Sequence, residues 1–122
     1  MVADVGTLQR LPRLISQGMT RELAYTGRSV NADEAVRLGL ANSVFDDFSR
    51  LTAGVRHIAQ TIAAKSPLAI RGTKEALNYS RDHTIADGLQ QIAIWNAAML
   101  LSGDLQESLA AAQTRRAPNF QN

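Results

Sequence analysis

Asp4, Ser80, Asp82, His83, Arg115 and Arg116 are the residues of this chain whose types and spacing could do chemistry. Asp4 stands in "ADVGTLQRLP" (3–12), which packs an acid, a glycine and a proline close to the start of the chain. A positioned carboxyl can serve as a general acid or base. On local sequence alone Asp4 reads as a solvated aspartate or a helix cap ahead of Gly6. Ser80, Asp82 and His83 invite comparison with a nucleophilic triad. A triad is made by spatial geometry, however, and neighbours in one turn rarely point at one another. The end of one helix and the cap of the next account better for that cluster. His57 follows Arg56 on an expected helix and reads as a surface or interface residue. With two histidines far apart and no cysteine, a metal site has little support. Arg115 and Arg116 carry planar, forked donors that suit phosphate. Cations at a helix C-terminus are also favoured by the helix dipole alone.

The elements that must position these groups are nearly all helical. "VNADEAVRLGL" (30–40) predicts a short helix with Asn31 as N-cap, Glu34 closing a capping box and Gly39 stopping it. Between Ser49 and Lys65, apolar residues at Leu51, Val55, Ile58, Ala59, Ile62 and Ala63 keep the spacing of one helix face. "SP" at 66–67 caps and starts the next helix, which runs to about Tyr79. Thr84 with Asp87 opens another, with a stripe of Ile85, Leu89, Ile92, Trp95 and Met99. Trp95 and Met99 read as core or subunit-contact residues, with a pocket-lining role as the lesser alternative. A last helix follows Ser102 and Gly103, buries Leu105 and Leu109, and ends before Pro118. Shorter helices are expected near 8–16 and 20–27, and "SVF" (43–45) is the best candidate for a short extended segment. No repeat, low-complexity stretch or linker interrupts the chain. The expectation is a single domain over 1–122, mainly α, with at most a short strand or two.

Composition narrows the function classes. The 122 residues are 45% hydrophobic and 20% charged, ordinary for a soluble globular protein. No run approaches the length of a membrane span. The net charge of +2 is scattered over the chain, and aromatics make up 5%, which argues against nucleic-acid binding. Zero cysteines suit a reducing compartment, and a cytoplasmic location is expected.

"ADVGTLQRLPRLI", "TGRSVNADEAVRLGLANSVF", "SPLAIRGTKEAL", "YSRDHTIADGL…WN" and the closing "RRAPNF" together resemble the C-terminal half of the enoyl-CoA hydratase/isomerase (crotonase) family. The resemblance covers essentially the whole chain in order. Within that family, "ADVGTLQRLP" and "YSRDH" are most similar to the branch that isomerises dienoyl-CoA in fatty-acid oxidation. The resemblance implies that residues 1–31 are the tail of the last β-β-α spiral turn with its connecting helices. Residues 32–122 would be the helical C-terminal region of the ClpP/crotonase fold, without its spiral core. It implies an acyl-CoA substrate and no cofactor. It implies Asp4 as one of two proton-exchanging carboxyls, at a position where plain hydratases usually carry glycine, and Arg115 or Arg116 against the CoA phosphates, Arg115 being the better positional match. The oxyanion amides would belong to upstream loops. The expectation is therefore a truncated chain, inactive alone, that assembles as a trimer or hexamer. The alternative is a non-catalytic helical assembly module keeping the family's subunit-contact helices.

Overall fold

The computed structural model describes residues 2–121. Its elements are helices α1 (Thr7–Arg10), α2 (Gln17–Thr26), α3 (Ala32–Leu38), α4 (Phe48–Ala63), α5 (Pro67–Tyr79), α6 (Ile85–Met99) and α7 (Gly103–Gln113), with a 3-10 turn at Leu11–Arg13. No strand occurs among the described residues. The "SVF" segment is irregular, because an extended stretch without a partner ladder has nothing to satisfy its backbone. The chain forms two compact units, Met1–Ala53 and Gly54–Asn122, and the dividing point falls within α4.

In the first unit the expected helix at 8–16 is instead one α turn followed by the 3-10 turn. Pro12 stands in the first turn of that 3-10 segment and has no N–H to continue an α ladder. α2 begins earlier than the apolar pattern suggests, because the Ser16 hydroxyl caps it by accepting from Met19 N–H at 3.2 Å. Asn31 caps α3 as expected, accepting from Glu34 N–H at 2.9 Å. The reciprocal half of that capping box does not form. The Glu34 carboxylate is taken by Arg28, whose Nη2 lies 2.8 Å from Oε1 and whose Nε also pairs with Glu22 at 2.9 Å. Arg28 thereby ties the end of α2 to the start of α3. Its own ionisation is pushed upward, chiefly by Glu34.

In the second unit α5 packs against α6. The contact is set by Gly72, where a Cβ would lie 2.3 Å from Trp95 Nε1 and 2.6 Å from its Cε2. Any side chain there must displace the indole. The expected capping box of α6 is complete, with Thr84 and Asp87 bonded both ways. α7 is capped by Ser102, and its inward face follows expectation at half-buried Leu105 but not at Leu109. Ala111 is 2% exposed while Leu109 is 57% exposed. The reason is polar: Asp104 accepts from the Ser66 hydroxyl and from Leu68 N–H at 3.4 Å, joining the first turns of α5 and α7. That link turns Asp104, Ser108 and Ala111 inward, and at about 100° per residue Leu109 falls about 140° away from Asp104.

Very little of the chain is deeply buried. The hydrophobic core of the described residues is Ile15 and Ala111, with Thr20 as the one buried polar side chain. The stripes of α4 (Leu51, Val55, Ile58, Ile62) and α6 (Ile85, Leu89, Ile92) are largely open to solvent. These faces have the composition of a core without the cover of one.

Candidate functional site

Asp4 precedes a tight reversal. Its carbonyl accepts from Thr7 N–H at 3.0 Å and from the Thr7 hydroxyl at 2.9 Å. The two central residues are both left-handed, Val5 at φ 46° and Gly6 at φ 84°, ψ 11°. These φ values and the bond from Asp4 to Thr7 are those of a type I′ turn, which favours Asn-Gly or Gly-Gly. Gly6 meets that demand, and the Arg10 guanidinium rests against it, 3.3 Å from where a Cβ would stand. Val5 does not meet it. A β-branched residue at positive φ is a genuine outlier, and such conformations cost about 1–3 kcal/mol. The Asp4 side chain is exposed, and its carboxylate makes no ion pair with a described residue. The strained turn thus carries an unoccupied carboxylate at the mouth of α1.

The two arginines separate in role. Arg115 lies just past α7 in the left-handed region, φ 52°, where its N–H donates to Ala112 O at 3.2 Å. Its guanidinium is exposed and holds no partner among the described residues. Arg116 is committed: both terminal nitrogens donate to the Glu107 carboxylate, Nη2 to Oε2 at 2.9 Å. Asn119 N–H adds a third bond to the same carboxylate at 2.6 Å. The cleft beside this segment, about 660 Å³, is lined by Lys65, Ser66, Pro67, Asn119 and Phe120 rather than by either arginine. Asp4 and the two arginines belong to different compact units.

The Arg116 guanidinium, followed by the Asn119 amide, holds the Glu107 carboxyl down at about 2, against an ordinary value of 4.5. A depressed folded value means that the clamp stabilises fully above the unfolded value and is lost as pH falls through the folded one. The Asn119 amide resonance should therefore titrate with a midpoint near 2, and Glu107→Gln should flatten that profile. A midpoint near 4.5 in the unmodified chain would show that the clamp does not form in solution.

The Ser80–Asp82–His83 cluster is not a triad. His83 Nδ1 lies 2.8 Å from Tyr79 O and 2.8 Å from Asp82 Oδ1. Both partners only accept, so Nδ1 carries the hydrogen, and no bond joins the ring to Ser80. The imidazole stacks on Tyr79 with centroids 3.7 Å apart. Its ionisation is raised, first by the Tyr79 carbonyl and then by Asp82 and Asp87. This is a helix end followed by a cap, as the spacing predicted. His57 is exposed on α4. Trp95 is half-buried against Gly72, beside a cleft of about 180 Å³ that also takes in Ala69, Thr73 and Ile92. Among the described residues no group of three His, Cys, Asp or Glu side chains is arranged to hold a metal, and no helix is long and apolar enough to cross a membrane.

Sequence reasoning missed two features here. The left-handed Val5 carries no sequence signal, since valine is what that conformation disfavours. The Glu107–Arg116 clamp spans a chain reversal at Arg115, beyond the reach of helical spacing rules.

Comparison with known proteins matches this arrangement over its whole length. The sequence model of the enoyl-CoA hydratase/isomerase family matches residues 1–122. The chain is 47% identical over 120 residues to the peroxisomal Delta(3,5)-Delta(2,4)-dienoyl-CoA isomerase of Arabidopsis thaliana, covering 98% of this chain and 43% of that protein. It is 36% identical to a crotonyl-CoA hydratase of Syntrophomonas wolfei, over 94% of this chain and 44% of the relative. The crystal structure of an enoyl-CoA hydratase from Bacillus anthracis superposes with a TM-score of 0.92 at 34% identity, covering 98% of this chain and 46% of that one. The chain thus spans less than half the length of these relatives, and the helices match the helical C-terminal region of their fold.

Proposed function

Because this chain belongs to the enoyl-CoA hydratase/isomerase family, we propose that it is the C-terminal helical part of a dienoyl-CoA isomerase-like enzyme acting on acyl-CoA thioesters in fatty-acid oxidation. The observation that carries this reading is Asp4 on its strained turn, within a sequence nearer to a dienoyl-CoA isomerase (47%) than to a crotonyl-CoA hydratase (36%). Moving a 3,5-diene to the 2,4 position removes a proton from C2 and adds one at C6. The electron pair passes through the thioester enolate between the two steps. Two carboxyls along the acyl chain suit that exchange, and Asp4 supplies one of them. The opposing carboxyl and the oxyanion donors come from the remainder of the family fold. Arg115, whose guanidinium has no partner among the described residues, meets the CoA phosphates, while Arg116 and Glu107 hold the segment that presents it.

No cofactor is proposed beyond the acyl-CoA substrate. The open stripes of α4 and α6 favour burial against the family's spiral core and against further copies, in a trimer or hexamer. The same stripes support the second reading, a non-catalytic assembly module. The compartment is proposed to be a reducing one, cytoplasmic or the matrix of an organelle, on the cysteine-free composition.

Substrate comparison tests the proposal. Given a 3,5-dienoyl-CoA, the full-length protein should accumulate the 2,4 isomer without adding water. Hydration of crotonyl-CoA with no double-bond migration would make it a hydratase. Inertness toward both, with intact assembly, would favour the module.

A further inference from the structure

Val5 is strained, and the strain earns nothing locally. It stands at φ 46° between Asp4 and Gly6, and its side chain is 90% exposed, so no contact within these residues compensates the conformation. Glycine or asparagine would make the same turn without penalty. The turn is held from both sides, by the Thr7 bonds to the Asp4 carbonyl and by Arg10 against Gly6, so the left-handed state is imposed on Val5. A residue that breaks a local rule without packing gain is where a functional use is expected. Among the described residues, its immediate chain neighbour with a titratable side chain is Asp4. Resting on the reading of Asp4 as a proton-exchanging group, we infer that Val5 is a specificity-determining residue whose isopropyl group lies against the apolar acyl chain beside the carbons that Asp4 serves. A β-branched side chain has few rotamers to lose when it takes up that contact.

The experiment uses the full-length protein and three substitutions at this position, with Asp4→Asn alongside. Val5→Gly should raise the thermal midpoint by about 2–4 °C as the turn relaxes. It should also lower kcat/KM for a 3,5-dienoyl-CoA about tenfold. Val5→Thr keeps the β-branch and the strain while replacing a methyl by a hydroxyl, so it should leave the midpoint unchanged and still lose activity. Val5→Ile keeps an apolar β-branched side chain and should lose less of kcat/KM than Val5→Gly or Val5→Thr. A Val5→Gly variant with kcat/KM equal to the unmodified protein would overturn the inference. A lowered midpoint would overturn it as well, by making Val5 a packing residue of the fold. If Asp4→Asn keeps full isomerisation, the reading of Asp4 has failed and Val5 falls with it. If Asp4→Asn is inactive and Val5→Gly is not, only the assignment of Val5 is lost.

Discussion

Asp4→Asn in the full-length protein is expected to fold normally, to hold acyl-CoA, and to lose double-bond migration by about 10²–10⁴-fold, the usual worth of one positioned acid or base. The turn makes this a clean substitution. What fixes the residue is its main-chain carbonyl, bonded to Thr7 N–H and hydroxyl, and the amide leaves those bonds alone. The carboxylate has no described ion-pair partner, so its replacement strands no buried charge. Shape and stability should therefore persist while the capacity to exchange a proton is removed. The measurement follows loss of the 3,5-diene and growth of the 2,4-diene, with KM and kcat separated. An effect confined to KM would make Asp4 a binding group rather than an acid or base. Undiminished kcat would remove it from the mechanism.

The parts of this molecule that were legible in sequence are those governed by chemistry within a few residues. Ser66, Thr84 with Asp87, and Ser102 each cap the helix that follows, because a side-chain oxygen three residues from an unpaired N–H needs nothing else. The same locality explains why the polar cluster at 80–84 is a helix end and not a nucleophilic site. Legibility fails where a distant partner competes. Glu34 has the right position for a capping box, yet a guanidinium six residues upstream offers a charge-assisted pair and takes the carboxylate. α7 is amphipathic by its leucines, but the Asp104 link to Ser66 rotates the helix so that Ala111 is the buried residue. The candidate site divides the same way. Asp4 was found through the resemblance of its whole segment, whereas the strain at Val5 is a property of the backbone that no residue type announces.

Residues 1–122 taken alone should show no detectable isomerisation or hydration of any enoyl-CoA, and they should self-associate. The activity half of this expectation rests on what the proposed reaction requires. On the proposed reading the oxyanion donors, each worth about 10²–10³-fold in well-studied sites, lie in the rest of the family fold with the opposing carboxyl and the walls that align the thioester. Such effects do not simply add, but the exchange proposed for Asp4 needs an opposing group, and its exposed carboxylate makes no ion pair with a described residue. The association half rests on surface. Leu51, Val55, Ile58 and Ile62 on α4, and Ile85, Leu89 and Ile92 on α6, stand at 41–85% exposure and form stripes that water disfavours. Association between chains would cover them, so sedimentation should show concentration-dependent oligomers, and an apolar reporter dye should bind more strongly than to a folded monomer of equal mass. The two halves can fail separately. A non-associating monomer at high concentration would mean that the stripes find cover within the chain. Measurable turnover by the purified 122 residues would mean that a complete site is present without the family's spiral, and the division of labour proposed for Asp4 would have to be abandoned.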